Sequence, residues 1–139
     1  INAVSNSGVP AITIVMGASY GAGNYAMCGR AYNARFLFSW PNSRCSVMGG
    51  EQLAGVMDLL FQQKAGNNPP KALKEMAEKR KQALLKMVEN SSNVYYTSAR
   101  VIDDGIIDPR DTRSILGMCL SVAHNAEVRG ENVNGVSRM

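Results

Sequence analysis

The feature that most constrains this chain is a short β-branched run followed closely by three glycines. Residues Ile12–Val15 favour a buried strand, and Gly17, Gly21 and Gly23 then allow a tight turn. Residues Asn24–Cys28 are interpreted as the opening of a helix. A strand, a turn and a helix start leave unpaired backbone N–H groups, with the positive end of the helix dipole behind them. The stretch therefore predicts an anion site, for a phosphate, a carboxylate or a developing oxyanion.

One interpretation of this turn is a dinucleotide-binding loop. The segment Gly21–Ala26 fits the pattern G-x-G-x-x-G/A, and it follows a strand and opens a helix, as that pattern requires. The same fingerprint needs an acidic residue about 20 residues later, where it binds the ribose hydroxyls. No acidic residue occurs before Glu51, so the spacing disfavours a dinucleotide.

A second interpretation is the nucleophile elbow of an α/β serine hydrolase. The segment Gly17–Gly21 fits G-x-S-x-G with Ser19 at its centre, and the order Ser19, then Asp108 or Asp111, then His124 matches that class. Few residues precede Ser19, and they leave no room for the strands that normally carry the first oxyanion donor. The sole histidine also falls on a predicted helix. The hydrolase nevertheless remains one alternative, and a non-catalytic interface module is another.

A third interpretation needs no side-chain nucleophile. The backbone amides of the turn Gly21–Gly23 would form an oxyanion hole for an enolate. Donors of this kind are worth about 3–4 kcal/mol each in comparable acyl-transfer sites. This hypothesis accounts for the glycines, for the helix start and for the absence of a convincing general base.

The charge distribution favours an anionic ligand at the turn. The chain has 15 basic and 11 acidic residues, but residues 1–50 contain no Asp or Glu and only Arg30, Arg35 and Arg44 as cations. A core that is simply poor in carboxylates explains the same pattern equally well. We expect no nucleic-acid partner, because clustered Lys and Arg with interleaved aromatic residues are missing. We expect no membrane span, because no apolar run approaches about 20 residues.

The cysteines do not predict a metal site. Cys28, Cys45 and Cys119 show no Cys-x-x-Cys spacing, and the chain has one histidine. We therefore expect buried free thiols in a reducing compartment.

The remaining chain alternates strands with helices, which predicts an α/β class without an internal repeat. The apolar stripe of the long helix over residues 71–90 is expected in the core or at a subunit contact. We expect a break at Gly66–Pro70 and weak order in the tail that ends at Met139. The other predicted elements are strands at Arg35–Trp40, Cys45–Met48 and within Asp103–Pro109, and helices at Glu51–Gln63, Tyr95–Ala99 and Asp111–Asn125.

Several separated segments resemble one family. Ser19–Tyr32, Ser46–Gln52, Tyr95–Val101 and Asp103–Arg113 resemble the C-terminal half of biotin-dependent acyl-CoA carboxyltransferases, most closely the β subunits of methylcrotonoyl-CoA carboxylases. The resemblance covers nearly the whole chain, although residues 62–93 match loosely. Two single residues also depart from the family pattern, namely Ala26, where glycine is usual, and Ile102, where tryptophan is expected.

The resemblance implies a crotonase-like ββα superhelical fold, of which residues 1–139 form the C-terminal carboxyltransferase domain. Because the chain does not begin with methionine, we expect it to start within a longer subunit whose upstream acyl-CoA-binding domain is absent. The implied activity moves CO2 from carboxybiotin to an acyl-CoA, with 3-methylcrotonyl-CoA of leucine breakdown as the expected substrate. Two such domains would complete one active site across a dimer interface.

The resemblance also assigns the site residues. The amides of Ala22 and Gly23 would stabilise a biotin enolate, and Tyr20, Gly21 and Asn24 would shape the pocket. The biotin ureido nitrogen would remove the acyl α-proton, which agrees with the missing general base. A second pair of glycines, at a predicted helix start, would border the same site or only turn the chain into the helix. That pair is Gly49 and Gly50.

The implied cofactor is biotin, carried on a partner α subunit that also holds the biotin carboxylase and alone uses ATP. The other implied partners are a coenzyme A thioester and further β subunits in a homo-oligomer. No metal is expected. The expected location is the mitochondrial matrix in a eukaryote and the cytoplasm in a bacterium.

Overall fold

The computed structural model describes residues 1–65 and 70–127. Most of the predicted break and all of the tail beyond residue 127 lie outside these residues. The helices are α1 Asn2–Ser5, α2 Gly21–Ala26, α3 Gly50–Ala65, α4 Lys71–Ser92, α5 Val94–Ser98 and α6 Thr112–Ala123. The strands are β1 Ile12–Val15, β2 Ala18–Tyr20, β3 Phe36–Ser39, β4 Arg44–Ser46 and β5 Gly105–Ile106, and two 3-10 turns lie at Arg30–Tyr32 and Pro109–Asp111.

The five strands form two parallel sheets. The larger sheet has the order β1-β3-β5, with Ile12 opposite Phe36 and Ser39 opposite Ile106. The smaller sheet pairs β2 with β4, and Ser19 lies opposite Cys45 in its register. Parallel strands must be joined by crossover connections, and here α2 and α3 follow the two strands of the smaller sheet.

The chain therefore repeats one structural unit of two strands and a helix. The first unit is β1-β2-α2 and the second is β3-β4-α3, and each unit contributes one strand to each sheet. The sequence contains no matching repeat. Because β2 and β4 run parallel and side by side, their carboxyl ends meet at one sheet edge. The starts of α2 and α3 are consequently brought to the same edge.

Strand β2 is the main element that the sequence did not predict. Residues Ala18–Tyr20 lie between two glycines and were assigned to the turn, yet they pair with β4 along their whole length. Helix α2 accordingly begins at Gly21, three residues before the expected start. Strand β4 ends at Ser46, two residues before its expected end. A three-residue strand has little periodicity of its own, and its partner decides whether it forms.

The buried core is small and lies beside the larger sheet. Its cluster consists of Cys28, Ala34 and Leu37, and Leu37 is 3% exposed. Four partly buried side chains pack against this cluster, namely Val4, Ala11, Val15 and Tyr32.

The apolar faces of α4 and α6 are only partly covered by the described residues. On α6, the apolar spacing of the sequence predicts that Cys119 and Leu120 both face inward; Cys119 is buried, but Leu120 is 51% exposed, so the prediction was wrong for Leu120. On α4, the expected stripe is only half-covered, because Met76 and Met87 are each 67% exposed. Helix α4 packs against α3, α5 and β4.

Candidate active site

The candidate site lies where β2 and β4 end side by side. Tyr20 is the last residue of β2 and leads directly into α2, while Ser46, its register partner, leads through a short loop into α3. In parallel α/β folds, ligands bind beyond the carboxyl ends of the strands. The two glycine turns that the sequence singled out therefore belong to one sheet edge.

Gly21 is required at the first turn for two reasons. Its backbone φ is +51°, in the left-handed region that side chains with a Cβ rarely adopt. A Cβ placed on Gly21 would also lie 3.0 Å from the Val47 carbonyl oxygen. The loop after β4 thus presses directly against the start of α2.

Gly49 connects the second turn to the same place. A Cβ on Gly49 would lie 3.3 Å from Cε2 of Tyr20, so the aromatic ring covers this glycine. Gly50 faces the other way, because a Cβ there would lie 3.5 Å from a methyl group of Leu85 on α4. The structure therefore brings Tyr20, Gly21 and Gly49 together, whereas Gly50 begins α3 and contacts its neighbouring helix.

The first turn of α2 contains the expected amide donors. Ala22 and Gly23 are exposed, and the N-cap residue Tyr20 makes no side-chain capping hydrogen bond to the described residues. The first amides of a helix lack intrahelical acceptors, so these N–H groups are free for an external partner. A Cβ on Gly23 would meet nothing within 4 Å among the described residues, so the space beside this glycine is open.

Asn24 holds the other side of the turn. Its Nδ2 donates to Ser19 Oγ at 2.9 Å and to Cys45 Sγ at 3.7 Å. Burial raises the pKa of the Cys45 thiol, and the nearby charge of Asp103 raises it further. The thiol therefore stays protonated at neutral pH and is neither a nucleophile nor a base.

The serine hydrolase interpretation was wrong. A nucleophile elbow places its serine at the sharp turn between strand and helix, but Ser19 lies inside β2 and its hydroxyl accepts from Asn24. Asp108 is engaged by Arg110 at 2.6 Å and caps the following 3-10 turn. His124 ends α6, and no hydrogen bond described for residues 1–65 and 70–127 joins it to Ser19 or Asp108.

The sequence also did not reveal how the 3-10 turn after α2 contacts the rest of the fold. Arg30 forms an ion pair with Asp104 at 2.8 Å and also donates to the Val101 carbonyl. The other carboxylate oxygen of Asp104 accepts from the Leu37 amide at 2.8 Å. Burial raises the Asp104 pKa, but the Leu37 and Arg30 hydrogen bonds outweigh it and hold that pKa below its usual range. No spacing signal links positions 74 residues apart.

Nearby, Asp103 is 4% exposed, and neither of its carboxylate oxygens has a hydrogen-bond partner among residues 1–65 and 70–127.

Within residues 1–65 and 70–127, no group of three or more His, Cys, Asp or Glu side chains could hold a metal ion. No helix in the same two ranges has the length and apolar character that a membrane crossing needs. All three cysteines are free thiols, of which Cys28 and Cys119 are buried and Cys45 is half-buried.

Comparison with known proteins identifies the family. The sequence model of one protein family, described as the carboxyl transferase domain, matches residues 1–135, so this chain belongs to the carboxyl transferase domain family. It is 48% identical over 140 residues to a probable biotin-dependent acyl-coenzyme A carboxylase beta2 subunit of Mycobacterium tuberculosis, covering all of this chain and 26% of that protein. It is equally 48% identical to the mitochondrial methylcrotonoyl-CoA carboxylase beta chain of Arabidopsis thaliana, over 100% of this chain and 24% of that protein.

A solved structure confirms the fold. The β subunit of geranyl-CoA carboxylase from P. aeruginosa superposes with a TM-score of 0.76 at 44% identity, covering 99% of this chain and 26% of that one. The expected crotonase-like α/β fold is thereby confirmed, and the dinucleotide interpretation is ruled out. The chain spans about a quarter of the length of the relatives it matches.

Proposed function

We propose that this chain supplies the C-terminal carboxyltransferase domain of a longer β subunit in a biotin-dependent acyl-CoA carboxylase. Such a subunit moves CO2 from carboxybiotin to an acyl-CoA, and 3-methylcrotonyl-CoA is the substrate we assign. The support for the acyl group is the 48% identity to a protein named for methylcrotonoyl-CoA. Competing 3-methylcrotonyl-, geranyl- and propionyl-CoA in the complete enzyme tests it, and a preference for either of the latter two contradicts it.

The observation that carries this proposal is the uncapped and exposed first turn of α2. Carboxybiotin, when bound, would supply the CO2 and would present its ureido oxygen to this turn. The amides of Ala22 and Gly23 would donate hydrogen bonds to that oxygen. A donor of this kind is worth about 3–4 kcal/mol of transition-state stabilisation. Because α2 has six residues, this effect would come from the individual amides more than from a helix macrodipole.

The residues around the turn would suit the uncharged ureido ring of biotin. Tyr20 and Gly49 would form one wall, and Gly21 would let the Val47 loop approach the turn closely. The Ser19 hydroxyl is held by Asn24, and the Cys45 thiol is protonated. Neither group suits a base, which supports a proton acceptor on the bound ligand.

Gly23→Leu tests the role of the amides. A Cβ at Gly23 meets no described atom within 4 Å, so we expect the fold to tolerate a side chain there, and that side chain would fill space that the ligand would occupy. We expect acyl-CoA carboxylation by the complete subunit, assembled with its biotin-carrying partner, to fall about 100-fold or more.

The matched control is Gly55→Leu in α3, where an added Cβ also meets no described atom within 4 Å. We expect this variant to keep its activity. A Gly23→Leu enzyme as active as the Gly55→Leu enzyme contradicts the proposed site.

We further propose the partners that such a domain needs. They are an α subunit with the biotin carboxylase and biotin carrier, which alone uses ATP, and other β subunits in a homo-oligomer. The location would be the mitochondrial matrix in a eukaryote and the cytoplasm in a bacterium. Half of a two-domain site cannot complete the transfer, so residues 1–139 alone should not carboxylate 3-methylcrotonyl-CoA. Measurable transfer by the isolated chain contradicts this division of the site.

A further inference from the structure

Asn24 is the polar group that ties α2 to both strands of the smaller sheet. Its Nδ2 donates to Ser19 on β2 at 2.9 Å and to Cys45 on β4 at 3.7 Å. Ser19 and Cys45 lie opposite each other in the parallel register, so one amide group spans the strand pair. The contact sits one residue after Gly23, within the same helical turn as the exposed amides.

Other contacts also support helix α2. The Tyr25 and Tyr32 rings form a T-shaped contact. Just past the end of the helix, the Thr13 hydroxyl donates to the Cys28 carbonyl at 2.9 Å. The helix has six residues, none of them buried, and the N-cap residue Tyr20 makes no side-chain capping hydrogen bond. A helix of this length is not stable without tertiary contacts. The direction of its first-turn amides therefore depends on whatever holds the helix against the sheet.

The end of α2 is held through the same residue. Gly29 N–H donates to the Asn24 carbonyl at 2.9 Å, and Cys28 N–H donates to the Tyr25 carbonyl at 3.1 Å. With Cys28 at φ +56°, this is the Schellman arrangement that closes a helix. Asn24 thus joins the sheet through its side chain and the helix end through its carbonyl.

Gly29 leaves the room that this arrangement needs. A Cβ on Gly29 would lie 2.6 Å from Cγ of Asn24, so any larger residue would displace the Asn24 side chain. The absent Cβ leaves room for the Asn24 side chain, and the two hydrogen bonds hold its amide in this position.

We propose that Asn24 is a positioning residue for carboxyl transfer, which sets the direction of the Ala22 and Gly23 amides by binding Ser19 and Cys45. This inference rests on the proposed function, because it requires that those amides contact the reacting oxygen. Loss of the Asn24 side chain leaves the donors present but misaligned. Misalignment weakens an interaction made in the transition state, so it lowers kcat more than it raises KM.

The test is a double-mutant cycle in the complete subunit assembled with its partner. We expect Asn24→Ala to lower kcat about tenfold and Ser19→Ala about threefold, with KM for acyl-CoA within about twofold. The double variant should be no slower than Asn24→Ala, because both changes remove the same hydrogen bond. Ser19→Thr, which keeps the hydroxyl, should restore kcat.

The control is Asn42→Ala, which removes an Asn hydrogen bond to the Met16 carbonyl outside α2. It should leave kcat unchanged, and melting temperatures identify any variant that fails to fold. Additive losses in the cycle, or an unchanged kcat for Asn24→Ala, overturn the positioning role. If Gly23→Leu abolishes activity in the same assay, then additive losses or an unchanged kcat for Asn24→Ala reject only the role of Asn24. An active Gly23→Leu enzyme rejects the amide site itself.

Discussion

The glycine turns and the α3–α4 helix pair are stabilised in different ways. At the turns, short strands, small residues and the Asn24 hydrogen bonds position the backbone, and little apolar surface is involved. In the helix pair, long amphipathic helices pack on each other, yet Leu59 and Met76 remain 61% and 67% exposed. The comparison teaches that the turns depend on backbone geometry, whereas the helices depend on distributed contacts. Single substitutions should therefore matter far more at the turns.

The largest expected effect on stability is that of Gly29→Ala. The added Cβ would lie 2.6 Å from Asn24 Cγ and 2.9 Å from the Asn24 carbonyl oxygen, so the backbone must move. We expect a loss of about 2–3 kcal/mol in the free energy of unfolding, measured by urea denaturation of the chain. The control from the helix pair is Gly55→Ala, where the Cβ meets nothing and helix propensity favours a gain of up to about 1 kcal/mol. Equal urea midpoints for Gly29→Ala and Gly55→Ala would contradict the proposed difference between the turns and the helix pair.

Gly21→Ala should have the next largest effect. Alanine at φ +51° is strained, and its Cβ would lie 3.0 Å from the Val47 carbonyl oxygen. We expect a loss of about 1–2 kcal/mol in the free energy of unfolding. Gly23→Ala, two residues later, has open space and should lose nothing, which thermal and urea unfolding can check side by side. A comparable loss of stability in both variants would mean that the positive φ of Gly21 is not the cause of the loss.

Asp104→Asn should have a smaller effect that depends on pH. The lowered pKa of Asp104 means that its ionised form stabilises the fold above the unfolded pKa, and that this stability is lost as the pH falls through the folded pKa. Because the Arg30 and Asp104 side chains are 39% and 34% exposed, solvent screening limits the expected loss at pH 7 to about 0.5–1 kcal/mol.

Urea midpoints of the wild type and of Asp104→Asn should therefore converge as the pH is lowered from about 5 toward 2. A difference between them that stays constant over this range would assign the effect to packing instead of charge.

The smallest effect is expected for Lys81→Met in the helix pair. Lys81 contacts Asp58 at 2.7 Å, and this hydrogen bond raises the Lys81 pKa, but the carboxylate is 54% exposed. Exposed ion pairs contribute little in salt. The urea midpoint at neutral pH should not move beyond the error of measurement. A clear drop would show that α3 and α4 depend on one directed contact, as the turns do.

The elements with strong local signals were predicted well. Strand β1 matched its predicted limits, and α3 and α4 began within one residue of theirs. Their periodicity or β-branched composition is a property of neighbouring residues, so it is visible without the fold. The exposure of Met76 on α4 was not predicted, because it depends on which other parts of the fold reach that face of the helix.

The local geometry of the candidate site was predicted in part. The glycines indicated a turn at a helix start, and Gly21 indeed needs a positive φ. The same residues also fitted a nucleophile elbow, and only strand β2 removes that interpretation by placing Ser19 in a ladder with Cys45. The Asn24 contacts and the Arg30–Asp104 ion pair left no trace in the spacing of residues.

The sequence by itself determined the α/β class, the long helices and the need for glycine at the turn, because these follow from local conformational preferences. The tertiary structure decided that Tyr20 and Gly49 meet, that Ser19 is a strand residue and that Asn24 spans two strands. A three-residue strand gains its stability from the strand beside it, and a side-chain hydrogen bond forms only after the register is set. The parallel pairing of β2 with β4 therefore brings the two glycine turns together at the candidate site.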